Sequence, residues 1–266
     1  MIPRKVIIRG AGDLATGVAH RLWNSGFSVV MLELPDPLVV RRTVSFASAV
    51  YENSITVESV TAKLCPQADQ IDQYFDQNII PVMVDPDGSI LLKEKPPVLI
   101  DAVMSKNNTL TRIDQAELVI GLGPGFKVGK DVHAIVETER GHNLGKVIYS
   151  GQAAPNTGKP GVIGGYSSER LLRAPHSGCF EPKKNIGDIV IAGDTVALVG
   201  STEIKTAIDG MVRGMLHPKI KVEGGTKVCD IDPRGNKIDC HLISDKARAV
   251  GGGVLEAILH RYFKYF

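Results

Sequence analysis

The 266-residue chain has no excess of charge of one sign and no long hydrophobic run. Its 31 basic residues are balanced by 29 acidic ones, which leaves a formal net charge of +2. Such a balance provides no basic surface for nucleic acid or for an anionic membrane. No apolar run approaches the roughly 20 residues that span a bilayer, and residues 1–5 lead into a strand without the apolar core of a signal peptide. We therefore expect a cytoplasmic protein with no nucleic-acid partner and no membrane partner.

Cysteine is also scarce. The four cysteines are widely scattered, at Cys65, Cys179, Cys229 and Cys240. They form no C-x-x-C pair, and no histidine lies at the spacing that is typical of a zinc site. We expect neither a disulfide nor a structural zinc ion.

What the chain does contain is a glycine-rich corner near its start. The apolar run before Gly10 predicts a buried strand, and the small residues after it lie on the turn into a helix. In a G-x-G-x-x-A pattern Gly10 allows a tight turn, Gly12 lets a pyrophosphate approach the backbone, and Ala15 is the third small residue. The free N–H groups of the helix start, at Asp13 and Leu14, then face the phosphates. The corner is predicted to bind a nucleotide cofactor.

A carboxylate follows the second predicted strand, residues 27–32. Glu33 stands at the carboxyl end of this strand, where it can accept hydrogen bonds from ribose hydroxyls. Asp13 argues against nucleotide binding at this corner, because it adds a negative charge beside the pyrophosphate. The glycines can instead serve close packing of the strand and the helix. Arg41 and Arg42 can hold a phosphate or form a solvated face. NAD, NADP and an adenine nucleotide all remain open as ligands.

Polar residues and glycines also follow later strand candidates. These candidates lie at residues 79–84, 98–103, 118–122 and 132–136. Ligands of open parallel sheets bind at the carboxyl edge of the strands. We therefore expect Asp101 to contact substrate, and Gly123 and Gly125 to present N–H groups to the cofactor, although a plain tight turn explains these glycines almost as well.

The segment 131–142 contains two histidines and two glutamates that suggest a metal site. Its alternation predicts a strand instead, in which His133 and Glu137 lie on one face with same-face neighbours about 6.6 Å apart, too far to converge on one ion. We expect no metal. Arg140 and His142, just past the strand end, are predicted to bind an anionic substrate or a cofactor phosphate.

The second half of the chain contains an internal repeat. After a glycine- and proline-rich passage at residues 150–165, a pattern of glycines and valines recurs at an offset of 32 residues, so that Gly178, Val190, Gly193 and Val196 match Gly210, Val222, Gly225 and Val228. Two copies of one hairpin unit are typical of a barrel-sandwich hybrid, as in biotinyl and lipoyl domains. Biotinyl and lipoyl domains carry their prosthetic group on a lysine, and Val199 stands at that position in this chain. We therefore expect the fold of such a domain without a prosthetic group.

These patterns predict an α/β protein. A Rossmann-like, mostly parallel sheet domain is expected over residues 1–165, and an all-β domain like a barrel-sandwich hybrid over 170–236. A C-terminal helical segment, 241–266, is expected to dock on the first domain. Its helix is predicted to follow three glycines, Gly251, Gly252 and Gly253, which favour close packing.

The chain resembles the YqeB-type accessory proteins of the selenium-dependent molybdenum hydroxylase system. The resemblance spans nearly the whole chain and rests on residues 8–17, 41–46, 121–126, 137–142, 230–234 and 251–253. It implies a Rossmann-like protein that is associated with the maturation of a molybdenum enzyme, with its own reaction undefined.

The resulting hypothesis is a maturation protein for a molybdenum hydroxylase. It binds an adenine-containing dinucleotide or a molybdopterin dinucleotide, and its partners are the hydroxylase or other maturation factors. Arg41, Arg42, Arg140 and His142 are the expected counter-charges. The alternative is an NAD(P)-dependent oxidoreductase acting on a small substrate, with Asp101 or His142 as general acid or base. A third hypothesis is a non-catalytic interaction scaffold. A homo-oligomer is compatible with all three hypotheses. No sequence pattern identifies a catalytic residue.

Overall fold

A computed structural model describes residues 3–105, 107–108, 110–158, 160–218 and 220–263. The chain forms two compact units. The first unit comprises Met1–Pro37, Ser45–Asn156 and Ile243–Phe266, and the second comprises Leu38–Val44 and Thr157–Leu242. Residues 264–266 of the predicted C-terminal segment lie outside the described residues.

A nine-stranded sheet forms the centre of the first unit. Its strands are β1 (Lys5–Arg9), β2 (Ser28–Glu33), β3 (Ser54–Val57), β4 (Val60–Leu64), β5 (Ile80–Val84), β6 (Val98–Asp101), β7 (Leu118–Leu122), β8 (Ala134–Val136) and β9 (Val147–Ile148). They lie in the order β3-β4-β5-β2-β1-β6-β7-β8-β9. The seven strands from β4 to β8 in this order form six parallel pairs, whereas β3 pairs with β4 and β8 with β9 in antiparallel fashion.

The central strands are continuous apolar runs because helices and loops cover both faces of the sheet. In β1, Val6, Ile7 and Ile8 are fully buried, as are Leu99 and Ile100 in β6. The helices of this unit are α1 (Asp13–Trp23), α2 (Ala49–Glu52), α3 (Ile71–Asp76), α4 (Ile90–Glu94) and α5 (Asp245–Phe263). The long helices α1 and α5 pack against each other through their small residues: a Cβ added to Gly17 would lie 2.6 Å from the Cβ of Ala247.

The second unit consists of two antiparallel sheets of four strands each. Its strands are β10 (Leu171–Arg173), β11 (Gly178–Pro182), β12 (Ile189–Val190), β13 (Thr195–Val199), β14 (Thr202–Lys205), β15 (Gly210–Met215), β16 (Lys221–Val222) and β17 (Lys227–Asp232). The strand orders are β10-β17-β15-β12 and β14-β13-β11-β16. Strands that are 32 residues apart, such as β11 and β15 or β13 and β17, therefore take equivalent places in the two sheets. This confirms the internal repeat.

The predicted fold class is corrected by these observations. The large sheet is mixed, with an antiparallel pair at each edge, and the helices α2, α3 and α4 have only four to six residues. A Rossmann-like domain needs full-length helices in its crossovers, and most crossovers here lack them. The second unit contains two antiparallel sheets and also includes residues before 170 and after 236, so this description replaces the predicted barrel-sandwich hybrid.

The C-terminal helix differs from its prediction. It begins at Asp245, so the three glycines lie within α5 and not before it. The predicted packing role is confirmed for Gly251 and Gly253 but not for Gly252: a Cβ at Gly251 would lie 2.8 Å from the carbonyl oxygen of Gly17, whereas one at Gly252 would meet no atom within 4 Å. None of the helices in the described part of the chain combines the length and the apolar composition needed to cross a bilayer.

Candidate functional site

The carboxyl ends of the parallel strands in the first unit meet at one edge of the sheet, which we call the carboxyl edge. Chain order reverses at β1, which lies between β2 and β6. A reversal of this kind separates the loops that follow the two neighbouring strands and opens a crevice for ligands in many open α/β sheets. The predicted site residues of the first unit all lie at or near this edge.

Glu33, the predicted ribose ligand, is held by backbone instead. Its Oε2 accepts a hydrogen bond from the N–H of Ala11 at 2.8 Å, and its Oε1 accepts one from the N–H of Leu34 at 2.7 Å. Burial raises the pKa of Glu33, while the two backbone donors oppose this shift. The carboxylate therefore ties the end of β2 to the turn between β1 and α1.

The turn between β1 and α1 is also covered by the segment that contains Phe46 and Ala47. The N–H of Ala47 donates to the carbonyl oxygen of Ala11 at 2.8 Å, and the N–H of Phe46 donates to Oγ1 of Thr16 at 2.8 Å. Phe46, Ala47 and Ala11 are all fully buried. The space that a pyrophosphate would need beside Ala11 is filled by the protein's own chain.

The glycines of this corner have structural explanations. Gly10 has φ +90°, and a Cβ there would lie 3.0 Å from the carbonyl oxygen of Ala102, so the turn after β1 requires glycine. Gly12 is the N-cap of α1 and has no side chain to cap it. Asp13 accepts a hydrogen bond from the N–H of Leu14 at 2.9 Å, and both Leu14 and Ala15 face the core.

Asp101 belongs to a buried polar cluster. Its Oδ2 lies 3.4 Å from Nη1 of Arg9 and accepts a short hydrogen bond from Oγ1 of Thr111, while its Oδ1 accepts the N–H of Val103 at 3.1 Å. Arg9 also donates to Oγ1 of Thr111 at 2.7 Å. All three side chains are more than nine-tenths buried. The cluster links the ends of β1 and β6, so Asp101 is engaged in an internal ion pair.

Gly123 and Gly125 lie in the turn after β7 with φ values of +69° and +108°. The N–H of Gly123 donates to the carbonyl oxygen of Val136 at 2.9 Å, and a Cβ at Gly123 would overlap Oγ1 of Thr138. The loop therefore packs against the end of β8, which accounts for its glycines.

The predicted arginines and His142 are dispersed. Arg41 and Arg42 belong to the second unit, where Arg41 donates to the carbonyl oxygen of Leu242 at 3.2 Å and Arg42 to that of Met215 at 2.7 Å. His142 is exposed. Arg140 is in the first unit and forms a two-pronged ion pair with Asp245 at 2.9 and 3.2 Å.

Lys246 is a residue of the carboxyl edge that the sequence analysis did not select. It lies in the first turn of α5, next to the contact of Ala247 with Gly17, and its surroundings include Arg140, Asp13, Glu137 and Asp245. Burial lowers the pKa of Lys246, and Arg140 adds to this effect, while the three carboxylates oppose it. We call these five residues the Lys246 cluster.

The carboxylates of the Lys246 cluster have their own hydrogen-bond donors. Glu137 is buried and accepts three backbone N–H groups, those of Thr138, Glu139 and Ala154, at 2.7 to 2.8 Å. Asp245 is held by Arg140, and Asp13 by the N–H of Leu14. Among the described residues, by contrast, no acceptor lies within hydrogen-bond distance of the Lys246 amine. Lys246 is half-buried, so its amine remains partly accessible to solvent. Within the Lys246 cluster, this amine is therefore the hydrogen-bond donor that a ligand can use.

Sequence reasoning missed Lys246 because the glycines were expected before the helix. Residues 244–246 were therefore placed before the predicted helix, although they lie in the C-terminal segment 241–266, and not in the first turn of α5. The available signal was Asp245 followed by Lys246 at the start of an apolar-periodic helix, since acidic residues are favoured in a first turn and lysine is not.

Comparisons with known proteins give one extensive sequence match. No protein-family model matches the chain. The chain is 51% identical over 254 residues to a protein of Escherichia coli strain K12 described as uncharacterized protein YqeB, covering 96% of this chain and 47% of YqeB. The chain thus spans about half the length of this relative.

Solved structures show only a weak likeness. An aspartoacylase family protein from Mesorhizobium loti aligns over 87% of this chain and 85% of its own, at 14% identity and a TM-score of 0.29. The apo ectoine utilization protein EutE (DoeB) from Ruegeria pomeroyi aligns over 86% of both chains, at 10% identity and a TM-score of 0.26. A succinylglutamate desuccinylase/aspartoacylase from Rhodobacter sphaeroides aligns over 24% of this chain and 22% of its own, at 26% identity and a TM-score of 0.22.

These observations correct the predicted function. A carrier of a dinucleotide for a molybdenum hydroxylase and an NAD(P)-dependent oxidoreductase both require an open corner between β1 and α1. That corner is closed by Glu33, Phe46 and Ala47. The sequence match does support the predicted resemblance at the level of the family: over nearly its whole length, this chain is a homologue of about half of YqeB.

Proposed function

We propose that the first unit binds a small oxyanion, of the carboxylate or phosphate monoester class, through the amine of Lys246. The observation that carries this proposal is the half-buried Lys246 amine without an acceptor among the described residues, while each carboxylate around it is already held by other donors. Arg140 lies in the same cluster, with its charge already paired with Asp245. Perturbed lysines of this kind are enriched at functional sites.

The position of Lys246 supports a ligand of small size. The amine interacts electrostatically with Asp13 at the start of α1, and the contact of Gly17 with Ala247 brings α1 and α5 close together beside it. The corner that would hold a nucleotide is closed. A ligand with one or two carboxylates or a single phosphate fits the remaining polar edge.

The test is a screen of small oxyanions by thermal unfolding of the complete chain. A ligand held at 100 times its Kd stabilises a protein by about 2.7 kcal/mol. In a chain of this size, that gain raises Tm by about 5 °C or more. Calorimetric titration of each active compound then gives its affinity and its stoichiometry.

Two lysine variants separate specific binding from general charge effects. Lys246→Met keeps the length of the side chain and removes its charge, and it should abolish the Tm increase. Lys130→Met removes an exposed lysine of the same unit and should leave the increase unchanged. Equal binding by the wild type and Lys246→Met, or no oxyanion that raises Tm, would refute the proposal.

The lowered pKa of Lys246 favours a second candidate function, the formation of an imine with a carbonyl compound. A lysine whose pKa is lowered by burial has a larger neutral fraction, and the neutral amine is the nucleophile. The Nζ–C bond forms at the carbonyl carbon, and the carbonyl oxygen leaves as water. Borohydride reduction in the presence of small aldehydes and keto acids, followed by mass spectrometry of the peptide that contains Lys246, tests this candidate.

We also propose that the chain works in the cytoplasm. All four cysteines are free, and Cys179 is exposed. Free thiols are typical of reducing compartments. Fractionation of cells that express the complete chain, with markers for each compartment, tests this location.

A further inference from the structure

Three consecutive residues of the second unit bring different metal-ligand atoms together. Asp239, Cys240 and His241 follow β17, and their ligand atoms all lie within 4.8 Å of one another. Sγ of Cys240 lies 3.5 Å from Nδ1 of His241, and this nitrogen lies 3.4 Å from Oδ1 of Asp239. Elsewhere in the described part of the chain, no group of three histidine, cysteine, aspartate or glutamate side chains has this geometry.

These distances match the edges of a tetrahedral coordination sphere. With zinc bond lengths of about 2.3 Å to sulfur and about 2.0 Å to nitrogen and oxygen, tetrahedral geometry places sulfur about 3.5 Å from nitrogen and nitrogen about 3.3 Å from oxygen. The two separations in the structure, 3.5 and 3.4 Å, need almost no adjustment to meet these values. The ligand types also suit one class of ion, because thiolate and imidazole together select zinc and its close relatives.

The turn that carries these residues is held by other hydrogen bonds. Oγ1 of Thr43 donates to the carbonyl oxygen of Cys240 at 2.6 Å, and the N–H of His241 donates to Oδ1 of Asp239 at 2.7 Å. Cys240 is only 4% exposed, whereas Asp239 and His241 are exposed. The sulfur therefore faces inward and the other two ligands face solvent, so water or a ligand can complete the sphere.

We propose that Asp239, Cys240 and His241 bind a thiophilic divalent cation of the zinc class, with a fourth position open to solvent. The thiolate and the carboxylate together balance the charge of the dication. Three protein ligands and one exchangeable position are the arrangement of zinc ions that act on a bound ligand, whereas structural zinc ions have four protein ligands. The three residues are consecutive and do not follow the usual zinc spacing, so motif spacing does not predict this group.

Cobalt(II) is the probe for this site because it reports on its own ligands. Co²⁺ is titrated into the untagged, chelator-treated complete chain while the absorption spectrum is recorded. We expect a thiolate-to-cobalt charge-transfer band and the visible bands of a tetrahedral ion, saturating at one equivalent. Zn²⁺ added afterwards should displace Co²⁺ and remove the bands.

Matched variants assign the ligands. Cys240→Ser should remove the charge-transfer band, and His241→Asn should weaken binding at least about tenfold, since even the loss of an outer-shell partner costs 10- to 100-fold. Cys179→Ser changes an exposed thiol of the same unit and should leave the titration unchanged. His241 is exposed, so its variant remains informative if Cys240→Ser fails to fold.

Three results would overturn the proposal. The first is a wild-type chain that shows no charge-transfer band. The second is a band that persists in Cys240→Ser or disappears in Cys179→Ser. The third is an affinity that is unchanged in His241→Asn, which would indicate a thiol that binds cobalt without the predicted histidine.

Discussion

Gly253 of α5 lies directly against the backbone of Gly145, in the loop before β9. A Cβ at Gly253 would overlap the carbonyl oxygen of Gly145 and would lie 2.8 Å from Cγ1 of Val136. A Cβ added at the neighbouring Gly252 would meet no atom within 4 Å. These two adjacent glycines of α5 therefore differ: Gly253 permits a close contact with the sheet, whereas the space beside Gly252 is open.

This difference predicts opposite effects of the same substitution. Gly253→Ala should destabilise the chain by about 1–3 kcal/mol, because the added methyl group must displace backbone or shift the helix. Gly252→Ala should stabilise it by about 0.5–1 kcal/mol, because alanine is the better helix former and the space is open. Urea unfolding of the three proteins measures both values. Equal effects of the two substitutions would contradict the packing role of Gly253.

The buried pair of Arg9 and Asp101 predicts a large effect on stability. Asp101→Asn keeps the shape of the side chain but leaves the Arg9 guanidinium buried without its counter-charge. The loss of one partner from a buried pair costs about 3–5 kcal/mol. Glu94→Gln breaks the partly exposed pair with Lys5 and serves as a control, with a loss of less than about 1 kcal/mol. Chemical denaturation of both variants should show this contrast, and similar losses would argue against a stabilising role for Asp101.

Local sequence patterns predicted most strands of the first unit. The apolar run before Gly10 corresponds to β1, residues 27–32 correspond to β2, and residues 118–122 correspond to β7. The signal is strong because strands buried on both faces require continuous apolar residues. The hairpin of β3 and β4 and the edge strand β9 were missed, because these strands contain fewer apolar residues than the central strands and carry a weaker signal.

The candidate site was harder to predict, because its members meet through the fold. Asp13, Glu137 and Lys246 are separated from one another by more than 100 residues along the chain, and they meet only because α5 packs against both α1 and the end of β8. The glycine motif was misread for a related reason. Its small residues allow the contact of Gly17 with Ala247 as well as the approach of a phosphate, and periodicity does not distinguish these two uses.

Glu33→Gln should destabilise the corner between β1 and α1. A glutamine has one acceptor oxygen, so one of the two N–H groups that Glu33 binds, those of Ala11 and Leu34, loses its acceptor. The N–H of Ala11 is buried and costs about 1–3 kcal/mol when it is left unsatisfied, whereas the exposed N–H of Leu34 can bind water, so the loss should lie toward the lower end of this range. Asp76→Asn, an exposed substitution at the end of α3, should change stability by less than about 0.5 kcal/mol.

The pH dependence of this substitution has a definite sign. Burial raises the pKa of Glu33 above 4.5, so the folded state binds more protons than the unfolded state as the pH rises from 4.5 through the folded value. Wild-type stability therefore contains a contribution that is lost over this window, whereas Glu33→Gln lacks it. The deficit of the variant should be largest near pH 4.5 and should shrink at higher pH. Urea unfolding at a series of pH values measures it, and a deficit that grows with pH would contradict this account.

Lys246→Met tests whether the proposed ligand-binding amine is maintained at a cost to stability. Because burial lowers the pKa of Lys246 below 10.5, the unfolded state binds more protons between the folded pKa and 10.5, and wild-type stability rises with pH in that window. Below this pH window, the buried charge of Lys246 lowers the free energy of unfolding, and methionine carries no such charge.

We therefore expect Lys246→Met to be at least as stable as the wild type at neutral pH, with an advantage that declines toward pH 10.5. Lys130→Met, at an exposed position, should show no such trend. A Lys246→Met chain that is clearly less stable at neutral pH would mean that the lysine supports the fold, and its availability to a ligand would lose its basis.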